Sequence, residues 1–216
     1  MPRPLIILFA KAPLPGRVKT RLCPPLSPDE ASRLHSAFVC DAGQMLASLV
    51  DAADIEISSD SATAAWPGIQ CSRSVQVAGD LGTRLFHALD SALSSGREIA
   101  MVMGSDSPGL PAGHVRALLG SAADVSLGPT ADGGFFAIAC RKVHAKMFEG
   151  VRWSVSQTFD DTASAISRCG LRVNTGPSWF DVDVPEDLLR MLVMPDLPAN
   201  TAQWVNEYRR RRAELT

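Results

Sequence analysis

Long apolar runs are missing from this sequence. No stretch approaches the ~20 apolar residues that a membrane helix requires, so no membrane span is expected. The first apolar run, Leu5–Ala10, stops at Lys11 and is too short for a signal-peptide core. An excess of one charge is missing as well: 21 Lys and Arg face 23 Asp and Glu, a formal charge of -2. That balance gives no electrostatic reason to bind nucleic acid or an anionic membrane. Metal-binding and redox spacings are absent. Cys23, Cys40, Cys71, Cys140 and Cys169 form no CxxC pair, and the four histidines form no HExxH. The cysteines are read as reduced thiols of a cytoplasmic protein. Repeats and low-complexity tracts are lacking too. With 46% apolar and 20% charged residues, general disorder, collagen and coiled coil are excluded. A chain of 216 residues buries roughly 70% of its unfolded surface and needs no staple.

What is present is alternation. Leu5–Ala10 and Ile99–Met103 are continuous apolar runs, the pattern of strands buried on both faces. Ser27-Pro28-Asp29-Glu30 predicts a capping box with Pro at the first helical position. Ala31, Leu34, Phe38, Ala42, Met45 and Leu49 then continue one long amphipathic helix. Short strands are expected at Ile55–Ser58, Val75–Val77, Asp124–Leu127, Phe135–Ala139 and Leu171–Asn174. Helices are expected over Leu81–Leu93, around Val115–Leu119, over Thr158–Arg168, over Glu186–Val193 and from Asn200 onward. Strands alternating with helices imply an α/β fold with a mostly parallel sheet. The Asp132-Gly133 turn adds one hairpin, so the sheet is mixed. The chain divides best into a domain of residues 1–194 and a C-terminal helical extension of 195–216. Trp204 and Tyr208 share one face of that extension, which packs on the parent domain or, in a homodimer, on a second subunit. Arg209–Arg212 read as its solvated face.

In open α/β sheets ligands bind beyond the carboxyl ends of the strands, so polar residues just after strands matter most. The loop after the first strand carries Lys11, Arg17, Lys19 and Arg21 among Pro13, Pro15 and Gly16. These cations either meet one anionic ligand or decorate a solvated loop. Gly16 is followed by Arg-Val-Lys-Thr, so this is neither a Walker A loop nor a GxGxxG fingerprint. Asp106, in Gly104-Ser105-Asp106-Ser107-Pro108, either takes a hard cation bridging phosphates or closes a turn. Asp181 and Asp183 project to one side of an extended segment, and either is a candidate second ligand. Asp183 and Glu186 also have capping-box spacing, which would make Asp183 a helix cap. Asp132-Gly133-Gly134 is a hairpin turn in its plain reading. Gly79-Asp80-Leu81-Gly82 is a weak GxxG before a helix, where glycine permits close approach to a ligand.

Taken in order, these segments carry a resemblance. They are Phe9-Ala10-Lys11-Ala12-Pro13, Gly16, Val18-Lys19-Thr20-Arg21-Leu22, Gly79-Asp80-Leu81-Gly82, Gly104-Ser105-Asp106-Ser107-Pro108, Gly128-Pro129, Asp132-Gly133-Gly134, Trp153-Ser154 and Asp181-Val182-Asp183. From about Leu5 to Leu192 the chain resembles a bacterial family of GT-A-like, nucleotide-diphospho-sugar-transferase-type proteins, labelled glycosyltransferase on fold grounds. Its Lys19-Thr20-Arg21-Leu22 segment and Pro-Glu-Asp-Leu end also look like phospholactate guanylyltransferases and molybdenum-cofactor nucleotidyltransferases. It departs from the usual pattern at Phe135-Phe136, where a pair with Tyr is common, and at Val155, where Thr often follows Trp-Ser.

The resemblance implies a Rossmann-like sheet with helices on both faces. It implies Asp106 and Asp183 as ligands of Mg²⁺ or Mn²⁺. Lys11, Gly16, Arg17, Lys19, Thr20, Arg21, Gly79, Asp80 and Gly82 would serve the nucleotide, with Lys19, Arg21 and Asp106 catalytic. Asp132, Gly133, Gly134, Trp153 and Ser154 would serve the second substrate. The expected activity is metal-dependent transfer from a nucleotide or nucleotide-sugar to a small-molecule acceptor. Nucleotidyl transfer from a triphosphate, with pyrophosphate leaving, is the alternative that the cationic loop favours. A non-catalytic nucleotide-binding module is the other, and it would be marked by loss of a metal carboxylate.

Overall fold

The uncharged run Leu5–Ala10 forms β1, and its place in the fold explains its composition. Side chains alternate along a strand, and both faces are covered here. Ile6 and Leu8 enter one core, while Leu5 and Ile7 enter another. Each fully buried side chain of this kind contributes about 1.5–3 kcal/mol, and none demands a hydrogen bond. The structure, a computed structural model, describes residues 3–214.

Along the chain β1 is followed by α1 (Pro28–Ala47), β2 (Asp54–Ser59), β3 (Ser72–Val75), α2 (Leu81–Ser94), β4 (Ala100–Gly104), α3 (Ala112–Leu119) and β5 (Val125–Pro129). Then come β6 (Phe135–Cys140), α4 (Thr158–Arg168), β7 (Val173–Thr175), α5 (Pro185–Leu192) and α6 (Ala199–Ala213). The seven strands make one mixed sheet of order β3-β2-β1-β4-β6-β5-β7. β1 runs parallel to β2 and β4, β2 to β3, and β5 to β7. β6 is antiparallel to both neighbours. Helices cover both faces. α1 and α3 pack on one, with Val39, Leu46, Val115 and Leu118 against Ile6, Leu8, Met101 and Met103. α2 and α4 pack on the other, with Leu85, Leu89 and Ile166 against Ile7, Val102 and Ile138.

The Ser27 capping box forms as the sequence predicts. The Glu30 N–H donates to Ser27 Oγ at 3.2 Å, and the Ser27 N–H donates to the Glu30 carboxylate at 2.8 Å. The 130–134 turn joins β5 and β6, with Thr130 N–H to Gly134 O at 3.0 Å. Most element ends shift by one or two residues from expectation. The larger correction is β3, which lies at Ser72–Val75 instead of Val75–Val77. It is an edge strand with polar, largely exposed side chains, so it lacks the alternation that marks a half-buried strand. The Trp204 and Tyr208 face of α6 is met within the chain. The rings stack at 5.1 Å, and Trp204 Nε1–H donates to Glu30 O of α1 at 3.1 Å. Asp41 of α1 fastens the start of α6, accepting from the N–H groups of Asn200 and Thr201 at 3.0 and 2.8 Å.

β6 is the strand that positions the site. Because it runs backwards, its first residues lie beside the last residues of β4, with Ala137 opposite Met103. The carboxyl ends of β1, β2, β4 and β5 and the start of β6 therefore share one edge.

Candidate active site at the carboxyl edge of the sheet

Asp106 lies two residues beyond β4, where the chain leaves the sheet. The segment after β7 runs back across this edge. Trp179 bridges to Thr130, and the Val182 N–H donates to Asp106 O at 2.9 Å. That crossing brings Asp181 and Asp183 to Asp106. The loop after β1 supplies the cation between them. Lys19 takes a left-handed conformation, with φ 49° and ψ 36°, which for a residue other than glycine costs on the order of 1–3 kcal/mol. The turn carries its ammonium inward, where only 4% of the side chain stays exposed. Nζ stands 2.7 Å from Val182 O, 2.8 Å from Asp106 Oδ1 and 2.9 Å from Asp183 Oδ1. The Phe38 ring lies beneath it at 5.5 Å. His35 of α1 ties the two sides together, with Nε2 2.9 Å from Lys11 O and Nδ1 3.9 Å from Asp106 Oδ1.

One buried cation pairs with two of the three carboxylates here. Burial opposes the charge on Asp106, but Lys19 and His35 overcome it and hold the carboxyl well below the usual range. Burial likewise opposes the charge on Lys19, and Asp106 and Asp183 more than offset it, so its pKa lies above the ordinary lysine value. Asp181 is what remains unbalanced. Burial, then the charges of Asp106 and Asp183, push its carboxyl up to about 7 against the opposing pull of Ser107 and Lys19. Its Oδ1 accepts from Ser107 Oγ–H.

Around this cluster opens a cleft of about 470 Å³, with Lys11, Thr20, Arg21 and Arg84 on its walls. It joins a second pocket of about 350 Å³, walled by Asp132, Gly134, Phe135, Trp153 and Ser154. Arg21, Ser154, Asp181 and Asp183 line both. Gly16 and Arg17 lie at the exposed tip of their loop, outside both walls. Asp80 caps α2, its carboxylate accepting from the Thr83 N–H at 2.8 Å, while its neighbours Leu81 and Arg84 reach the cleft. Gly82 packs under Trp153, and a Cβ there would stand 3.2 Å from the indole. Gly133 sits at φ +87°, and its added Cβ would fall 2.0 Å from Ser156 O, so only glycine fits that turn. Asp183 is not a helix cap. Asp187 accepts from the N–H groups of Asp183 and Val184, both at 3.1 Å, which leaves the Asp183 carboxylate to Lys19. His35 and Gln76 belong to the site without having been singled out by sequence, and Arg84 and Ser107 enter only as neighbours within their segments. His35 reads as one more buried position of α1, and Arg84 as one exposed arginine of α2.

Among the described residues, no three His, Cys, Asp or Glu side chains converge to hold a metal ion unaided. The donor set present is two carboxylates, Asp106 and Asp183, 39% and 41% exposed. It fits Mg²⁺ or Mn²⁺ of the kind that takes one or two carboxylates and completes its shell with water and substrate phosphate.

The family described as "Uncharacterized protein conserved in bacteria (DUF2064)" matches residues 40–155. A solved structure from Desulfovibrio desulfuricans G20, named "putative nucleotide-diphospho-sugar transferase", is 31% identical with a TM-score of 0.84, covering 96% of this chain and 99% of that one. Two more distant structures share the fold. A nucleotidyl transferase from Methanothermobacter has a TM-score of 0.57 at 13% identity, covering 88% of this chain and 95% of its own. Glucosyl-3-phosphoglycerate synthase from Mycobacterium tuberculosis, solved with Mn²⁺ and UDP, has a TM-score of 0.53 at 11% identity, covering 88% and 75%. No curated protein sequence matches the chain.

Proposed function

The chain belongs to the DUF2064 family, and from that membership and the geometry of the edge cleft we propose that it is a metal-dependent transferase of the nucleotide-diphospho-sugar type. One observation carries the reading: Asp106 and Asp183 flank a buried lysine at the floor of two joined pockets, one large enough for a nucleotide donor, the other for an acceptor. Asp106 and Asp183 hold Mg²⁺ or Mn²⁺, which when bound neutralises the diphosphate and eases its departure. Lys19 and Arg21 stabilise charge that develops on the phosphate oxygens, with Lys11 and Arg84 facing the rest of the phosphate chain. Asp132, Trp153 and Ser154 orient the acceptor. Positioning and electrostatics supply most of the rate, so no protein nucleophile is required. A non-catalytic binding module is disfavoured because both candidate metal carboxylates stand at the cleft floor. The C-terminal extension, helical over Ala199–Ala213 with residues 215–216 outside the described ones, is part of the same reading, as is a cytoplasmic location. Among the described residues no helix is long and apolar enough to cross a membrane.

A second reading has its own support. Lys11, Arg21 and Arg84 line the cleft in addition to Lys19, more cation than a diphosphate requires, which favours a triphosphate donor and pyrophosphate release. The test is a thermal-shift screen of nucleoside triphosphates and nucleotide-sugars, with and without Mg²⁺ or Mn²⁺, on wild type and Asp106→Ala. A true donor at a hundredfold excess over its Kd stabilises the fold by about 2.7 kcal/mol. A metal-dependent shift that Asp106→Ala abolishes supports the proposal. Phosphorus NMR of the products then separates nucleoside diphosphate from pyrophosphate. No shift with any nucleotide would sink both readings.

A further inference from the structure

An ammonium group has three N–H donors, and three oxygens stand within 2.9 Å of Lys19 Nζ: Val182 O, Asp106 Oδ1 and Asp183 Oδ1. In the free protein Lys19 donates to Val182 O and Asp183 Oδ1 and ion-pairs with Asp106 Oδ1, so its charge is already taken up by the two carboxylates. Two of its three partners are the carboxylates that the proposed function assigns to the metal. We propose that Lys19 is an exchangeable internal counter-ion: it occupies the metal's carboxylates in the free protein and transfers to the donor phosphate when the metal arrives. The inference rests on the metal assignment made above and adds to it a coupling between two ligands.

The surroundings suit an exchange. Lysine is a compact charge on a flexible four-carbon stem, so Nζ moves without moving the backbone. The stem leads out of the loop that walls the cleft, and Thr20 and Arg21 beside it are exposed there. Three carboxylates share the site, and among the described residues Lys19 is the only lysine or arginine within ion-pair distance of Asp106 or Asp183. A divalent ion that replaces Lys19 leaves the cluster better neutralised than before. The freed ammonium then meets phosphate at the cleft mouth. Each ligand removes an obstacle to the other, and by linkage the gain is reciprocal. Metal alone must compete with Lys19, whereas metal arriving with a nucleotide does not.

The decisive experiment measures Mn²⁺ affinity by electron paramagnetic resonance, without nucleotide, for wild type and Lys19→Met. Wild type is expected to bind weakly, and the variant about tenfold or more tightly, within the usual range of coupling between sites. The gain from adding a nucleoside diphosphate (UDP, GDP, CDP or ADP) is expected to be smaller in the variant. Should Lys19→Met fail to fold, wild type carrying ¹⁵N-lysine decides the matter. The buried, paired Lys19 ammonium gives a slowly exchanging signal that Mg²⁺ plus nucleotide displaces. Mn²⁺ binding no tighter in Lys19→Met than in wild type, or a Lys19 signal unmoved by saturating Mg²⁺ and nucleotide, overturns the exchange and leaves the transferase reading standing. Absence of Mn²⁺ uptake by both proteins, with and without any of the four nucleotides, removes the two together.

Discussion

Asp106 and Asp124 sit at opposite ends of one sheet, and the fold treats the two carboxylates differently. Asp124 precedes β5, on the edge away from the cleft. Its carboxylate takes Lys142 Nζ at 3.0 Å, Arg172 Nε at 3.2 Å and the Arg172 backbone N–H at 3.0 Å. Two cations and an amide converge on one acid, and its carboxyl is held well below the ordinary range, first by the Arg172 amide, then by Lys142 and the Arg172 side chain. At the floor of the cleft the ratio is inverted, with Lys19 shared between Asp106 and Asp183 and with Asp181 beside them. The Asp124 cluster satisfies itself from within the chain. The Asp106 cluster, on the proposed function, is completed by the metal and the donor phosphate. Surplus charge at a strand's carboxyl end is a better mark of a binding site than the presence of an aspartate.

The comparison can be broken in several places. Asp106→Ala carries the largest expected effect: a fall of about 10²–10³ in turnover, the size seen when one transition-state stabiliser is lost. Its circular dichroism spectrum should match wild type, since Lys19 keeps Asp183. Steady-state kinetics on the donor found by the screen would check it, and undiminished turnover would move the site elsewhere.

Next comes pH. Folding raises the Asp181 carboxyl from 3.8 to about 7, so the fold favours its protonated form. That contribution is complete below pH 4 and is lost as pH rises through 7. For the metal-free protein the loss is on the order of 2–4 kcal/mol between those limits. Denaturant midpoints across that window should fall with rising pH in wild type and stay level in Asp181→Asn. Asp124 has the opposite sign: its stabilisation is present at neutral pH and is lost on acidification below the usual carboxylate range. A wild-type midpoint that rose from pH 4 to 7 would contradict the assignment to Asp181.

Gly133→Ala should cost on the order of 1–3 kcal/mol of stability, because the turn holds a positive φ and has no room for a methyl group. Acceptor affinity should weaken more than donor affinity, since Asp132 and Gly134 flank it in the second pocket. Equal loss for both ligands would mean the whole edge had shifted. The smallest effect is expected for Lys142→Ala. Arg172 still pairs with Asp124, both basic side chains are mostly exposed (66% and 71%), and such pairs contribute little. Kinetics and unfolding midpoint should both stay near wild type, in contrast to the same charge removed at Lys19.

Much of the fold was legible in the sequence, for identifiable reasons. β1 and β4 read as buried strands because both faces demand apolar side chains. α1 read as a helix because Ser27 and Glu30 announce its start. β3 was hidden, since an edge strand of Ser72-Arg73-Ser74 has nothing to bury. The site was legible only in its local pieces. Asp106 stood out because it follows a buried strand. The pairing of Lys19 with Asp183 spans 164 residues and exists only once the segment after β7 crosses the edge. Asp183 offered two meanings, ligand or cap; the cap reading falls because the helix starts one residue later and Asp187 takes the amides of Asp183 and Val184, while the Asp183 carboxylate meets Lys19. Asp80 was expected at the nucleotide from the resemblance alone, and its carboxylate caps α2 instead.

The reversed strand β6 also bears on how such a protein can diversify. It pairs with β4 and β5 and divides the sheet into a β3-β2-β1-β4 half that carries Lys19 and Asp106 and a β6-β5-β7 half that carries the 130–134 turn. On the proposed function, insertions or substitutions in that turn, or in the 150–156 segment against it, would alter the acceptor while leaving the backbone of the Lys19 and Asp106 half in place. Selection, natural or in the laboratory, can therefore retarget the molecule by rewriting one side of a seam, with the other side kept as a constant chassis.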